Sequence, residues 1–593
     1  MPFVTVNGAE IYYQTYGKKR AGHAPVYLIH GSTQTGYSCW DKVAPLLAED
    51  YYVIVPDCRG HGQSTNPNMT YSFKELAADV AGTIRALGFD RAHIIGHSNG
   101  GNIALVTLLE HPDVIQTCIP QAGNAWVSPD LLIKEPPLFD PDFIQRERPL
   151  WYEEMLALHA PLGEDYWRKL VLMTVKEIIS EPNYTPEDLA KVNLPTLVIQ
   201  GETDRVNAEN KHGQFIARHI PAAELWIPKG IGHNVHDDIL GEWIQRVADF
   251  LARRGTDASE KLYRYGLEHH PDDRVGLFDP RLDADHVLSG TVLNEDMQAE
   301  VLGFLKTPPA ENKMKVLITK ETPWALMNRP VEDLRRKPSI LGERVSQARM
   351  GESMRVIETQ GDWSYIRLEH DSYSGWVHSN SLYVCSESDV KDYQSKCNAI
   401  VSAVFAEAYD EQGKLVHKIP FAVPIRITEE KGADSFVQLP DGRVWKIRGE
   451  DLTPLANRPK ADEKGIAQTL EYIKRFAGVP YLWGGRTPYG FDCSGLAGTF
   501  YAFMGVTIPR DADQQFESGE AVEQPAPGDL LYFGEEGDDG RVHISHVGIS
   551  LGGDVFIHAN GTDWGTAYNS FDVNSKIYRA WLHENYRGAR RFR

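Results

Sequence analysis

Over residues 1 to about 255, short unbroken apolar runs alternate with longer stretches in which apolar residues return every three or four positions. Val26-Tyr-Leu-Ile, Tyr51-Tyr-Val-Ile-Val, Ala92-His-Ile-Ile and Thr196-Leu-Val-Ile are too short for helices and lack polar alternation, the pattern of strands covered on both faces. Asn102-Ile-Ala-Leu-Val-Thr-Leu-Leu-Glu has helical spacing. Strand and helix in turn predict an α/β domain over 1–255. Between about 124 and 190 the rhythm gives way to a Pro-rich, Trp-bearing insertion with helical stretches such as Trp151-Tyr-Glu-Glu-Met-Leu-Ala-Leu-His, which reads as a lid.

The pattern then changes. A small ββα connector is predicted over 256–314, with strands at Arg274-Val-Gly-Leu-Phe and His286-Val-Leu-Ser-Gly-Thr-Val and a helix from Asn294 to Lys306. Over 315–385 polar and apolar residues alternate in short strands (Ser353-Met-Arg-Val-Ile-Glu-Thr, Asp362-Trp-Ser-Tyr-Ile-Arg-Leu, Gly375-Trp-Val), as in a small antiparallel barrel. A second barrel is expected over 398–456, from Ile425-Arg-Ile, Ser435-Phe-Val-Gln-Leu and Val444-Trp-Lys-Ile. Residues 457–593 mix a buried helix after Cys493 with strands around His546 and His558, an α+β unit.

Composition narrows the partners. At 593 residues the chain exceeds what one hydrophobic core supports. A net charge of -21 argues against nucleic acid or an anionic membrane as partner. No apolar run reaches membrane-spanning length, and the start lacks a basic, then apolar leader, so a cytoplasmic protein is expected. Cys39, Cys58, Cys118, Cys385, Cys397 and Cys493 show neither disulfide nor metal spacing. His269-His270 and Asp272-Asp273 also lack ligand spacing and read as a solvated turn, so no cofactor is expected.

Chemistry concentrates in Tyr481-Leu-Trp-Gly-Gly-Arg-Thr-Pro-Tyr-Gly-Phe-Asp-Cys493-Ser-Gly-Leu. Cys493 is placed at a helix N-terminus, where unsatisfied N–H groups favour a thiolate. His546 supplies a base, and His558 on the next strand supplies a group to orient it. A lone cysteine is more often a small buried hydrophobe and a lone histidine a core residue. The ordered set, with Gly484-Gly485 and Pro527-Gly-Asp-Leu-Leu-Tyr-Phe, resembles the NlpC family of papain-like bacterial cell-wall cysteine peptidases over about the last 130 residues.

That resemblance implies Cys493 as nucleophile, His546 as base and His558 as the orienting member, with backbone N–H groups at the helix start meeting the oxyanion. The barrels resemble bacterial SH3-like modules. In the subfamily acting on free murein peptides, positions matching Glu352 and Tyr373 accept the substrate amino terminus, and Tyr481, Asp492, Ser494 and Asp511 belong to the pocket. Ala512 departs from the serine common there. An acid beside a thiolate raises the thiol pKa unless another charge neutralises it, so Asp492 predicts a substrate ammonium. The implied substrates are murein-derived peptides, L-Ala-γ-D-Glu-diamino acid, cut at the γ-D-glutamyl bond.

A second constellation lies earlier. Gly96-His97-Ser98-Asn99-Gly100 sits between strand and helix, the setting of a nucleophile elbow. Asp204 and His233 end later strands, and this order resembles the α/β-hydrolase superfamily. The resemblance implies Ser98 as nucleophile, His233 as base, Asp204 as its orienter, and the N–H groups of Ser32 and Asn99 as oxyanion hole. His97 and His236 read as bystanders and Glu202 as a less favoured acid, and no acyl group is specified. The chain thus reads as multidomain: a doubly wound α/β hydrolase with lid, two all-β SH3-like barrels and an α+β papain-like NlpC domain. The alternative is a serine esterase or amidase delivered by a C-terminal module that only binds wall peptides.

Overall fold

The computed structural model describes residues 2–207, 209–537 and 542–593. The N-terminal part is built on an eight-stranded sheet of β1 (Phe3–Val6), β2 (Ala9–Tyr16), β3 (Val26–Ile29), β4 (Val53–Pro56), β5 (Ala92–His97), β6 (Ile115–Gln121), β7 (Leu197–Ile199) and β8 (Glu224–Trp226). Its order is β1-β2-β4-β3-β5-β6-β7-β8, with β2 antiparallel to β1 and β4 and the remaining pairs parallel. Tyr27, Ile29, Ile54 and Ile94 face one core, whereas Val26, Leu28, Val53, Val55 and Ile95 face another around Trp40, Trp243 and Phe250. Two covered faces explain why these strands are apolar throughout. The lid runs through helices that include α2 (Pro129–Leu138) and α3 (Tyr166–Ile178), entered from the sheet after α1 (Asn99–Glu110) and β6.

The connector is larger than its sequence pattern suggests. A helix not expected there, α4 (Asp257–His269), packs on the hydrolase domain, where buried Arg254 bonds Glu260 at 2.6 and 2.8 Å. Its first strand is β9 (Phe278–Leu282), so the stretch from Arg274 is loop: Asp272 accepts the Arg274 N–H at 3.0 Å and turns the chain. β10 (Val287–Asn294) leads into α5 (Glu295–Phe304), capped by Asn294 through the Met297 N–H at 2.9 Å. Lys315–Ile318, expected in the first barrel, instead pairs in parallel with β10.

Two seven-stranded barrels follow, running from Trp324–Met327 to Leu382–Cys385 and from Ala399–Val401 to Leu452–Pro454. Numbering the strands within each barrel from one to seven, both have the order 3-2-6-5-4-1-7, and both bulge in the fourth strand, at Val356/Glu358 and Ile427/Glu429.

The C-terminal part sets α6 (Cys493–Met504) against a six-stranded sheet of β11 (Glu520–Val522), β12 (Leu530–Glu536), β13 (Val542–Gly552), β14 (Val555–Asn560), β15 (Gly565–Ser570) and β16 (Tyr586–Arg591), in the order β11-β16-β12-β13-β14-β15. The second barrel docks through Phe421, stacked on Phe503 of α6 at 4.3 Å. The first barrel lies along the loop before Cys493: Gln347 Oε1 accepts the Arg486 N–H at 2.8 Å and Glu343 accepts from Trp483 Nε1 at 3.0 Å. Among the described residues no helix is long and apolar enough to cross a membrane.

Candidate active sites

Cys493 is the first residue of α6, and Asp492 caps that helix by accepting the Gly495 N–H at 2.6 Å. Gly495 is required by packing, since a Cβ there would stand 2.0 Å from the Gly485 carbonyl oxygen. His546 on β13 and His558 on β14 meet edge to face, with His546 Nε2 2.5 Å from His558 Nδ1. The N–H of Val547, next to His546, acts on the Cys493 sulfur, so the strand that carries His546 passes beside the nucleophile.

The thiol differs from its sequence expectation. Burial, reinforced by the Asp492 charge, pushes Cys493 up to about 12, and the N–H groups of Val547 and Ser494 offset only part of this. Burial also holds His558 down to about 4, against the opposing pull of Asn569 and Asp563, and His546 well below its usual range, with His558 adding to the lowering. Thiol and rings therefore rest uncharged, because loss of water outweighs the helix dipole.

The expected pocket acids also differ. Asp492 is already neutralised: Arg510 bonds it at 2.6 and 3.2 Å, and Gly484 N–H adds a bond at 2.9 Å. Arg510 also donates to Ser494 Oγ and to Ser346 Oγ of the first barrel, both at 2.9 Å, so Ser494 belongs to this buried network. Glu352 is enclosed by Arg349 at 3.0 Å, Arg486 at 3.1 Å and His370 at 3.7 Å. Burial works to raise its carboxyl, yet Arg486, His370 and Arg349 hold it down to about 2. Both acids thus already carry arginine partners from the chain itself, which the sequence expectation did not include.

Asp511 and Tyr373 remain together. The Tyr373 hydroxyl donates to Asp511 at 3.1 Å, and burial raises the Asp511 carboxyl. Arg274 of the connector, which sequence reasoning passed over, bonds Asp511 at 2.9 Å, Asp513 at 2.8 Å and Asp272 at 2.9 Å. Tyr481 packs in the core beside Cys493, its hydroxyl pushed up by burial and then by the Cys493 and Asp492 charges.

At the other end of the chain Ser98 takes φ 55°, between β5 and α1, with its N–H donating to Gln121 O at 2.9 Å. The turn demands glycine on both sides: a Cβ at Gly96 would lie 1.9 Å from Gly100 O, and one at Gly100 2.3 Å from Ile29 O. His233 Nδ1 bonds buried Asp204 at 2.9 Å, and Asp204 also accepts from Gln200 at 2.6 Å and from Val206 N–H at 2.8 Å. The His233 ring lies 5.0 Å from that of His97. Gln121 donates to His97 at 3.1 Å and His236 at 2.8 Å, engaging both as core residues, whereas Glu202 accepts from Gly230 N–H at 2.8 Å. Ser32 follows Gly31, whose backbone runs beside Ser98, and the next residue, Thr33, anchors the lid through His159 Nε2 at 2.9 Å. Asn99 donates its side-chain amide to Glu177 of α3 at 3.1 Å. Sequence reasoning missed Glu177, whose only local signal is an acid on the apolar face of an amphipathic helix.

Three family models match this chain in order: the alpha/beta hydrolase fold over 24–150, the bacterial dipeptidyl-peptidase SH3 domain over 334–382 and the NlpC/P60 family over 478–587. Gamma-D-glutamyl-L-lysine dipeptidyl-peptidase of Bacillus cereus is 27% identical over 259 residues, covering 42% of this chain and 74% of that protein, and its Bacillus subtilis namesake is 29% identical, covering 40% and 78%. The human serine hydrolase BPHL is 27% identical over 42% of this chain and 85% of its own length. A solved NlpC/P60 family protein from Bacillus cereus covers 45% of this chain and 99% of its own, at 23% identity and a TM-score of 0.40. Fold and family matches define a multidomain hydrolase with a cysteine-peptidase part. In particular, this chain joins an α/β-hydrolase domain, an SH3 segment of the bacterial dipeptidyl-peptidase type and an NlpC/P60 peptidase domain.

Proposed function

We propose that the C-terminal part is a cysteine endopeptidase that cuts the γ-D-glutamyl bond to the diamino acid in short murein-derived peptides beginning with L-Ala. It would release L-Ala-D-Glu for recycling in the cytoplasm, while the N-terminal domain is a separate serine hydrolase using Ser98, His233 and Asp204. The observation that supports this reading is the His546–His558 pair on strands beside the start of α6, where the N–H of Val547 acts on Cys493. The names of the two Bacillus relatives supply the bond.

Because the thiol rests protonated, attack and deprotonation are coupled. His546 takes the thiol proton as sulfur adds to the γ-carbonyl, the N–H groups at the start of α6 meet the oxyanion, and His546 returns the proton to the leaving amine. Water then clears the acyl-enzyme. Glu352, Asp492 and Asp511, each already beside an arginine, and the Tyr373 hydroxyl are the groups assigned to the substrate ammonium. Mass spectrometry of L-Ala-γ-D-Glu-diaminopimelate incubated with wild type and Cys493→Ala tests the assignment: cleavage only by wild type supports it, and equal cleavage ends it.

The uncharged thiol favours a second reading, in which the barrels and C-terminal part only bind wall peptides and deliver the serine hydrolase. A fluorophosphonate labelling Ser98, with Cys493 inert to alkylating agents even at alkaline pH, would support that reading.

A further inference from the structure

This inference rests on the cysteine-peptidase reading and concerns a residue that reading leaves unused. In the β14/β15 ladder His558 pairs with Ala567, so Asn569, two residues along β15, projects from the same face as its diagonal neighbour. Asn569 is 1% exposed, and its two amide atoms have different partners. Nδ2 donates to the Ile577 carbonyl at 2.7 Å, while Oδ1 lies 2.5 Å from His558 Nε2. A carbonyl oxygen only accepts, so Ile577, itself held by the Ser570 N–H at 3.2 Å, decides which end of the amide faces the histidine.

The consequence passes from ring to ring. An amide oxygen also only accepts, so His558 carries its proton on Nε2 and leaves Nδ1 bare. His546 Nε2, 2.5 Å from that Nδ1, must then be the donor, and the lone pair of His546 is left on Nδ1. On the cysteine-peptidase reading, that is the nitrogen that takes the thiol proton. Asn560 Nδ2, 3.0 Å from His558 Nε2, could only donate there and so competes for the opposite tautomer, but the Asn569 oxygen is closer, at 2.5 Å. The Asn560 oxygen accepts the Asp563 N–H at 2.6 Å and its nitrogen donates to Asp563 Oδ2 at 3.1 Å. The charged groups acting on His558 are Asp563 and Arg579, which bond each other at 2.9 Å, and the Cys493 thiol is the titratable group at the opposite end of the relay.

We propose that Asn569 is a positioning residue that sets the tautomer of both histidines and so keeps a proton acceptor, rather than a donor, facing Cys493. With Asn569 replaced by an apolar residue, His558 is free to carry its proton on either nitrogen. The tautomer with Nδ1–H turns His546 around electronically and presents N–H to the thiol.

The test compares Asn569→Leu, Asn569→Asp and Cys493→Ala on the L-Ala-γ-D-Glu-diaminopimelate tripeptide. Asn569→Leu is expected to lower kcat about 100-fold with KM changed less than about twofold. Asn569→Asp, which keeps an acceptor, is expected to recover to within about tenfold of wild type, with its acid limb moved to higher pH because a carboxylate stabilises imidazolium. Long-range nitrogen NMR of the Cys493→Ala protein is expected to show both rings protonated on Nε2, and a mixture once Asn569→Leu is added. Wild-type kcat in Asn569→Leu, or His558 protonated on Nδ1 in the Cys493→Ala protein, overturns the proposal. If the leucine variant does not fold, the aspartate variant and the ring tautomers in the Cys493→Ala protein decide. Activity surviving in Cys493→Ala would instead sink the peptidase reading, and the ring tautomers would still answer the question about Asn569.

Discussion

Arg510 and Asp492 form a buried ion pair, with guanidinium nitrogens 2.6 and 3.2 Å from the carboxylate oxygens, at the capped end of the helix that begins with Cys493. The pair joins three elements, because Arg510 also reaches Ser346 in the first barrel. The barrel therefore does more than cover the cleft: it completes the solvation of a charge next to the nucleophile. Removing one member leaves a buried charge unpaired. Arg510→Met is expected to cost about 3–5 kcal/mol, and adding Asp492→Asn should recover part of it. Urea unfolding followed through tryptophan fluorescence checks this, and an unchanged midpoint would refute it.

The same carboxylate acts on the sulfur. Burial and Asp492 both raise the Cys493 pKa, to about 12, so alkylation by iodoacetamide should be slow at neutral pH and rise about tenfold per pH unit above it. Asp492→Asn removes a raising influence and should speed alkylation at pH 8. A rate already level at pH 6 would mean that the thiolate is preformed.

Much of this architecture is legible in the chain because burial on two faces writes itself as unbroken apolar runs, and a strained elbow writes itself as glycines. Ser98, Asp204 and His233 follow the ends of strands that any parallel sheet would gather at one edge. Charge pairing is different. Which arginine Glu352 or Asp492 meets depends on what lies opposite: Arg486 stands in a two-residue strand distant in sequence from Glu352, and Arg510 in a loop separated from Asp492 by a whole helix. Asn569 was within reach, since a polar residue two positions along from the partner of a strand histidine is its natural neighbour. Helix α4 was masked by the charged residues that cover its outer face, and Arg274 by standing in a turn shaped by Asp272.

Arg274 binds the connector to the acids beside Tyr373. On the proposed reading it competes with the substrate ammonium for Asp511. Arg274→Gln should widen the preference for free over N-acetylated tripeptide by about three- to tenfold in kcat/KM, whereas Asp511→Asn should abolish it. Equal ratios in all three proteins would remove Asp511 from the amine pocket.

In the lid, burial pushes Glu177 well above the usual carboxyl range, so it meets Asn99 as a neutral acid. Glu177→Gln keeps that shape and lack of charge and should change stability by less than about 1 kcal/mol. Glu177→Leu leaves the Asn99 amide without its partner and should slow fluorophosphonate labelling of Ser98. Strong destabilisation by glutamine would show that the carboxylate is ionised.

The hydrolase domain also stores acid sensitivity. His93 is 3% exposed, bonded to Thr117 at 3.0 Å, and held by burial down to about 4. Above pH 6.5 the ring is neutral whether folded or unfolded and contributes no pH dependence. As pH falls below 6.5 only the unfolded chain takes up the proton, so stability drains away until the folded ring titrates near pH 4. The loss amounts to about 1.4 kcal/mol per pH unit for each such histidine. Burial lowers His30, His159, His212 and His236 in the same way, which makes the domain steeply acid-labile. Urea midpoints of wild type and His93→Gln between pH 7 and pH 5 should converge as pH falls, because the variant has lost one proton-linked penalty. Parallel lines would mean that His93 takes up its proton equally in the folded and unfolded chain, and so is not held down by burial.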